Sequence, residues 1–293
     1  AFEDLSDDFD LPNGEKENKN LKMYTDAMKE IADRNQVLFV DAFSPSSSWF
    51  SSADEYLTID GFQLTEEGYK KFSTFLTDKV FGTDKAVAED NRAAIHAAVK
   101  EKNWMWHNDY KIPNGVHVFG RRYNPFGPDN YPYELKKIRQ MTENRDQAIW
   151  KANKGEQFDL AKADESTIEL PPVETNYNPE KNGSLEYLYG QDALDKFEVA
   201  EGYKVELFAS EKEFPDLANP VQMTFDTKGR LWVSVMPSYP HYKPGDPKPN
   251  DKILILEDTD KDGKADKQTV FADSLHLPIG MEIPPEGVYL SQG

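Results

Sequence analysis

The chain has 293 residues, enough for one large domain or two of ordinary size. Its 34 basic side chains stand against 53 acidic ones, a formal charge of −19 that argues against a phosphate backbone, and so against nucleic acid, as partner. The absence of cysteine excludes disulfides, thiolate metal sites and Cys nucleophiles within this stretch, and no apolar run approaches the ~20 residues that span a bilayer.

The sequence opens Ala1-Phe2-Glu3-Asp4 with no initiator Met or signal peptide. It closes on the strand-like alternation Val288-Tyr289-Leu290 without a cap, and a free edge of that kind invites aggregation. The chain therefore reads as a segment of a longer polypeptide, continuous with further sequence on both sides, any export signal lying upstream.

Four regions separate by pattern. In residues 1–82, Leu21, Met28, Ile31 and Ala32 recur at helical spacing behind Asn20, a suitable N-cap. Val37-Leu38-Phe39-Val40-Asp41 is a short apolar run of buried-strand type, Ser44 to Ser48 reads as a loop, and Thr65-Glu66-Glu67 starts a second helix carrying Tyr69, Phe72, Leu76 and Val80. This alternation is α/β grammar. Residues 83–155 read as helical at both ends around an aromatic, Pro-rich middle. Trp and Tyr side chains there serve either as a carbohydrate platform or, more commonly, to pin a loop, and His96, His107 and His117 lack metal-ligand spacing. Residues 156–192, rich in Glu, Pro and Asn, read as a linker. From 193 to 293 the period becomes two. Strands are expected at 203–208, 222–225, 230–235, 252–256 and 288–290, with a hairpin turn at Asp226-Thr227-Lys228-Gly229, the mark of an all-β sandwich, barrel or propeller.

The acidic run Asp258-Thr259-Asp260-Lys261-Asp262-Gly263-Lys264-Ala265-Asp266 spaces its carboxylates as the front of an EF-hand-type calcium loop does. Asp258, Asp260, Asp262 and Asp266 would supply side-chain oxygens and Lys264 a backbone carbonyl. Thr269 takes the twelfth position, where a bidentate Glu is usual. The alternative is an acidic hairpin held by Asx turns without an ion.

The stretch Leu57-Thr58-Ile59-Asp60-Gly61-Phe62-Gln63-Leu64-Thr65-Glu66-Glu67-Gly68-Tyr69 resembles the last conserved block of the SGNH (GDSL-like) hydrolases, with Asp60 at the triad carboxylate. That resemblance covers residues 1–82 and implies the C-terminal part of an α/β hydrolase acting on esters. Gln63 stands at the histidine position, however, and an amide cannot take up a proton as general base. Ser46, Ser47 and Ser48 lack the strand-to-helix turn of a nucleophile. Either the hydrolase is inactive or a histidine elsewhere takes the role, and Asp60 and Gln63 also read as plain loop residues ahead of a helix.

Residues 197–209, then Asn219-Pro220-Val221-Gln222-Met223-Thr224-Phe225-Asp226, Gly229-Arg230-Leu231-Trp232-Val233, the acidic run and Phe271 to Gly280 together resemble the opening blades of sorbosone/glucose dehydrogenase-like β-propellers of the membrane-bound-dehydrogenase type. These occur in large secreted proteins of planctomycete, verrucomicrobial and Bacteroidetes type, some with an SGNH domain in front. The resemblance implies an incomplete β-propeller, a periplasmic or extracellular location, carbohydrate as substrate class, and oxidation by pyrroloquinoline quinone with calcium. On that reading His276 is the nearest candidate for catalysis, Arg230 a cofactor contact, and Trp232, Tyr239 and His241 a sugar site. A lone loop histidine such as His276 also reads simply as a backbone cap. The alternative function is a non-catalytic carbohydrate-binding or calcium-stabilised scaffold.

Overall fold

The structure is a computed structural model that describes residues 1–82, 89–111, 115–121, 123–172, 180, 187–285 and 287–293; parts of the expected linker fall outside them. The chain divides into two compact units, Ala1–Glu89 and Asp90–Gly293.

In the first unit, helix α1 (Glu15–Asn35) starts at Gly14 and not behind Asn20. Asn13 Oδ1 accepts from the Glu15 N–H, and Glu15 and Glu17 place negative charge on the first turn, where the helix dipole favours it. The helix ends on Gln36 in the left-handed region (φ 57°). The Ser-rich stretch expected as a loop is helical: α2 runs Phe43–Ser52. Asp41 accepts from the Ser44 N–H and Oγ–H, and the hydroxyls of Ser46, Ser51 and Ser52 bond back to carbonyls four residues earlier, which keeps them inside the helix. Helix α3 (Glu66–Phe81) begins as expected, Thr65 accepting from the Gly68 N–H at 3.2 Å.

The strand expected at Val37–Asp41 does not form. The segment joins no sheet, and Val37 and Leu38 are exposed. A strand exists through its ladder, and the described part of this unit holds no partner strand, only the isolated bridge Thr58–Leu64. The α/β expectation is thus corrected to a helical N-terminal region.

The second unit opens with α4 (Glu89–Tyr110), α5 (Gly115–Val118) and the short turn α6 (Tyr123–Pro125). A π-helical turn at Phe126–Asn130 then leads into α7 (Tyr131–Asn153), followed by α8 (Leu160–Glu165) and α9 (Gln191–Leu194). Met105, Ile138 and Met141 bury between α4 and α7. Beside them the buried Arg145 bonds Glu101 of α4, Asp164 of α8 and the Met141 carbonyl, so one guanidinium ties three helices.

Strands β1 (Pro220–Phe225), β2 (Leu231–Val235), β3 (Asp251–Glu257) and β4 (Lys267–Leu275) form one antiparallel sheet in sequence order, and β5 (Pro278–Glu282) pairs with β6 (Tyr289–Gln292). The central strands are covered on both faces. Leu231, Val233, Val235, Leu254 and Leu256 cluster with Leu217, whereas Trp232, Ile253 and Ile255 cluster with Met281. The turn between β1 and β2 is the expected one, closed by Gly229 (φ 79°) donating to the Asp226 carbonyl. Tyr203–Phe208, despite its alternation, joins no ladder. One four-stranded and one two-stranded sheet are what the described residues build, and they do not close a propeller.

Candidate functional site

The loop between β3 and β4 gathers Asp258, Asp260 and Asp262, each with a carboxylate oxygen within 4.8 Å of the others. The backbone folds them inward. Asp258 accepts from the N–H groups of Lys261 (2.7 Å), Asp262 (3.2 Å) and Gly263 (2.9 Å). Asp260 accepts from Asp262 N–H, and Asp262 from Lys264 N–H. Gly263 (φ 89°) makes the sharp bend such a loop needs. Asp266 is turned to Thr259, accepting from its hydroxyl at 2.7 Å and from its N–H, and the hydroxyl bond holds the Asp266 carboxyl below the usual range. Three of the four expected side-chain ligands therefore converge, and Lys264 meets the group through its N–H. Three oxygens on an exposed turn suit a hard cation better than a soft one.

A second constellation lies around Asp251, the first residue of β3 and fully buried. Its carboxylate accepts from Ser238 N–H (3.0 Å), Ser238 Oγ–H (2.5 Å) and Leu277 N–H (2.8 Å). The loops that carry His241 and His276 are thereby tied to one side chain. His241 Nε2 meets Glu134 Oε2 of α7 at 2.8 Å, and its Nδ1 is buried with no partner among the described residues. His276 Nε2 is likewise buried without a partner. Burial pushes the His276 imidazole below its usual pKa; Asp251 opposes this, and the nearby charges of His241 and Lys111 add to it. Leu277 next door sits at φ 53°, a strained backbone for a branched side chain. Tyr239 stands on the same loop with its hydroxyl 3.3 Å from Nε2 of the buried His117.

Trp232 and Arg230 sit elsewhere. Asp226 accepts from Trp232 Nε1–H (3.0 Å), Arg230 Nε–H (2.7 Å) and the N–H groups of Lys228 and Arg230. Burial alone would raise Asp226, but the Trp232 and Arg230 bonds outweigh it and hold the carboxyl far below the usual range. Trp232 is only 5% exposed and belongs to the core, so it offers no open stacking face. The Arg230 guanidinium is engaged by Asp226 and lies 5.8 Å from the Trp232 ring. A tricarboxylate quinone needs free cations, and Arg230, paired with Asp226, is not one.

In the first unit, Asp60 accepts from Phe62 N–H (3.1 Å) and Gln63 N–H (2.7 Å), an Asx turn, and Gln63 is exposed. The residue that organises this block is Glu3, 2% exposed, whose carboxylate accepts from Leu57 N–H, Thr58 N–H and Thr58 Oγ–H while its own N–H donates to Gly61 O. The Phe2 ring packs so closely on Gly14 and Gly61 that a Cβ at either would lie 2.3 Å from it.

Glu3, Glu134 and Asp251 were not singled out from the sequence. Their partners lie 54, 107 and 26 positions away, and no local pattern announces them.

Residues 190–293 match the model of a family described as a domain of unknown function, DUF7133. No curated protein and no solved structure matches the chain. Among the described residues no helix is long and apolar enough to cross a membrane.

Proposed function

We propose that this chain is a calcium-stabilised scaffold segment of an exported, carbohydrate-active protein, periplasmic or extracellular, and that it does not itself hydrolyse esters. The observation that carries the reading is the convergence of Asp258, Asp260 and Asp262 at the β3–β4 turn. A cation there would lock a hairpin whose first strand, β3, runs through the core of the sheet and whose second, β4, forms its edge. The finer fold reading rests on the resemblances: an SGNH-like segment, then a first propeller blade and the start of a second. In its support, β1–β4 is a four-stranded meander, which is the make-up of a blade. The engagement of Asp60 with backbone, and glutamine at position 63, support a non-catalytic role for the first unit. Sugar or alcohol oxidation would belong to a longer protein that supplies what Arg230 does not.

Calorimetric titration of the chain with calcium tests this, beside Asp260→Ala/Asp262→Ala. Micromolar-to-millimolar binding, absent from the variant, is expected. Saturation at a hundredfold excess over Kd should add about 2.7 kcal/mol of stability. A chain that binds no calcium, or whose variant binds equally well, overturns the reading.

A further inference from the structure

We propose that Asn13, in the run Pro12-Asn13-Gly14, is a site of spontaneous deamidation, and that its isoaspartyl product undoes the lock that seats the start of helix α1. The reaction joins an asparagine's amide carbon to the next residue's main-chain nitrogen, and glycine, with no Cβ, leaves that approach open. Among the described residues Asn13 is the one asparagine followed by glycine, and it is exposed. The Gly14 N–H has no hydrogen-bond partner among them, so it is left to water and free to react. The two Asp–Gly pairs differ on this point: Gly61 N–H donates to Thr58 Oγ1 (3.1 Å) and Gly263 N–H to Asp258 Oδ2 (2.9 Å). Asn13 Oδ1 in turn accepts from Glu15 N–H at 3.1 Å, a donor aimed at the oxygen where negative charge develops.

The steps balance without an oxidant or reductant. The Gly14 nitrogen gives its proton to water and attacks Asn13 Cγ; the Cγ–Nδ2 bond breaks, and the amide nitrogen leaves as ammonia with a proton returned from water. Water then opens the cyclic imide. Opening at Cγ gives aspartate, whereas opening at the main-chain carbonyl leaves Gly14 joined through Cγ and adds one methylene to the backbone. The fold has no slack there. Gly14 is buried beneath the Phe2 ring, with no room for a Cβ, and its carbonyl accepts from Asn18 N–H at 2.8 Å. Asn18 exchanges two bonds with the Phe2 backbone, at 2.7 and 2.8 Å. Phe2 leads directly into Glu3, the carboxylate that gathers Leu57 and Thr58. A lengthened backbone at residue 13 therefore drives Gly14 against Phe2 and loosens that block, while aspartate keeps the chain length and adds only charge.

The full chain, aged in mildly alkaline buffer, is followed by peptide mapping, by labelling with an isoaspartyl-specific methyltransferase, and by hydrogen exchange. Deamidation at Asn13 should outrun that of every other asparagine among the described residues several-fold, with isoaspartyl label at that position. Asn13→Gln, whose longer side chain would have to close a larger ring, should lose that label. In the isoaspartyl fraction the Leu57 and Thr58 amides should lose protection relative to fresh chain. Asn13→Asp, which gains the charge without the longer backbone, should keep it. Circular dichroism checks that both variants fold, and the rate and protection measurements need only the parent chain. The proposal is overturned if Asn13 deamidates no faster than the exposed Asn20 and Asn35, if Asn13→Gln takes label at residue 13 as the parent does, or if isoaspartyl chain protects Leu57 and Thr58 as fresh chain does.

Discussion

Helix α1 and the strand pair β2–β3 were both legible as elements, yet they end in opposite environments. No residue of α1 is buried, and Met28 and Ile31 of its apolar stripe are 60% and 58% exposed. Every residue of β2 is buried, and Leu254 of β3 has no exposure at all. Periodicity specifies which local element a segment adopts and which face is apolar. Whether that face contributes stability depends on what lies opposite it.

The contrast can be pressed hardest at Leu254. Leu254→Ala removes a side chain packed on Val233 and its neighbours and should cost about 3–4 kcal/mol, read as a lowered denaturation midpoint of the second unit. If the loss is under about 1 kcal/mol, the sheet core is not the stabilising element its burial implies. Next in size is Asp226→Ala, which strands the buried Trp232 N–H and should cost about 2 kcal/mol. The same carboxyl sharpens the comparison through pH. Its folded pKa is depressed, so its contribution is present above the unfolded value of about 4 and is lost as pH falls through the acid range. Asp226→Asn should flatten that acid limb of the stability curve. Smallest of all is Met28→Ala, expected to stay within about 0.5 kcal/mol of the parent by the same denaturation measurement. A larger loss would show that the α1 stripe is covered in solution.

What the sequence disclosed follows the range of the interactions involved. The Thr65 cap, the Asp226–Gly229 turn and the Asp258–Asp262 loop are formed by residues within a few positions of one another, so their geometry is written in short patterns. Val37–Val40 and Tyr203–Phe208 had strand patterns but joined no ladder, because pairing is a property of two segments. Helix α2 was hidden by its serines, whose loop preference is cancelled once each hydroxyl returns to the helix's own carbonyls. Strand β4 was missed for a related reason: as an edge strand it is mostly exposed and carries no clean alternation. Among the site residues, His241 and His276 were visible as side chains with chemistry. Glu134 and Asp251, which position them, were visible only in three dimensions.

The bond from Leu277 to Asp251 also closes the β3–β4 hairpin at its root, joining positions 26 apart. Everything beyond that root, including the aspartate tip, hangs from a fastened base. Extending a closed loop costs little, about 0.6 kcal/mol for each doubling of its length. The hairpin is therefore fastened independently of its tip: residues inserted at the exposed Lys261 would leave the strands in register, whereas Ala265, packed on the sheet core and donating to Phe208 O, has to stay in place, and the three converging carboxylates would be parted.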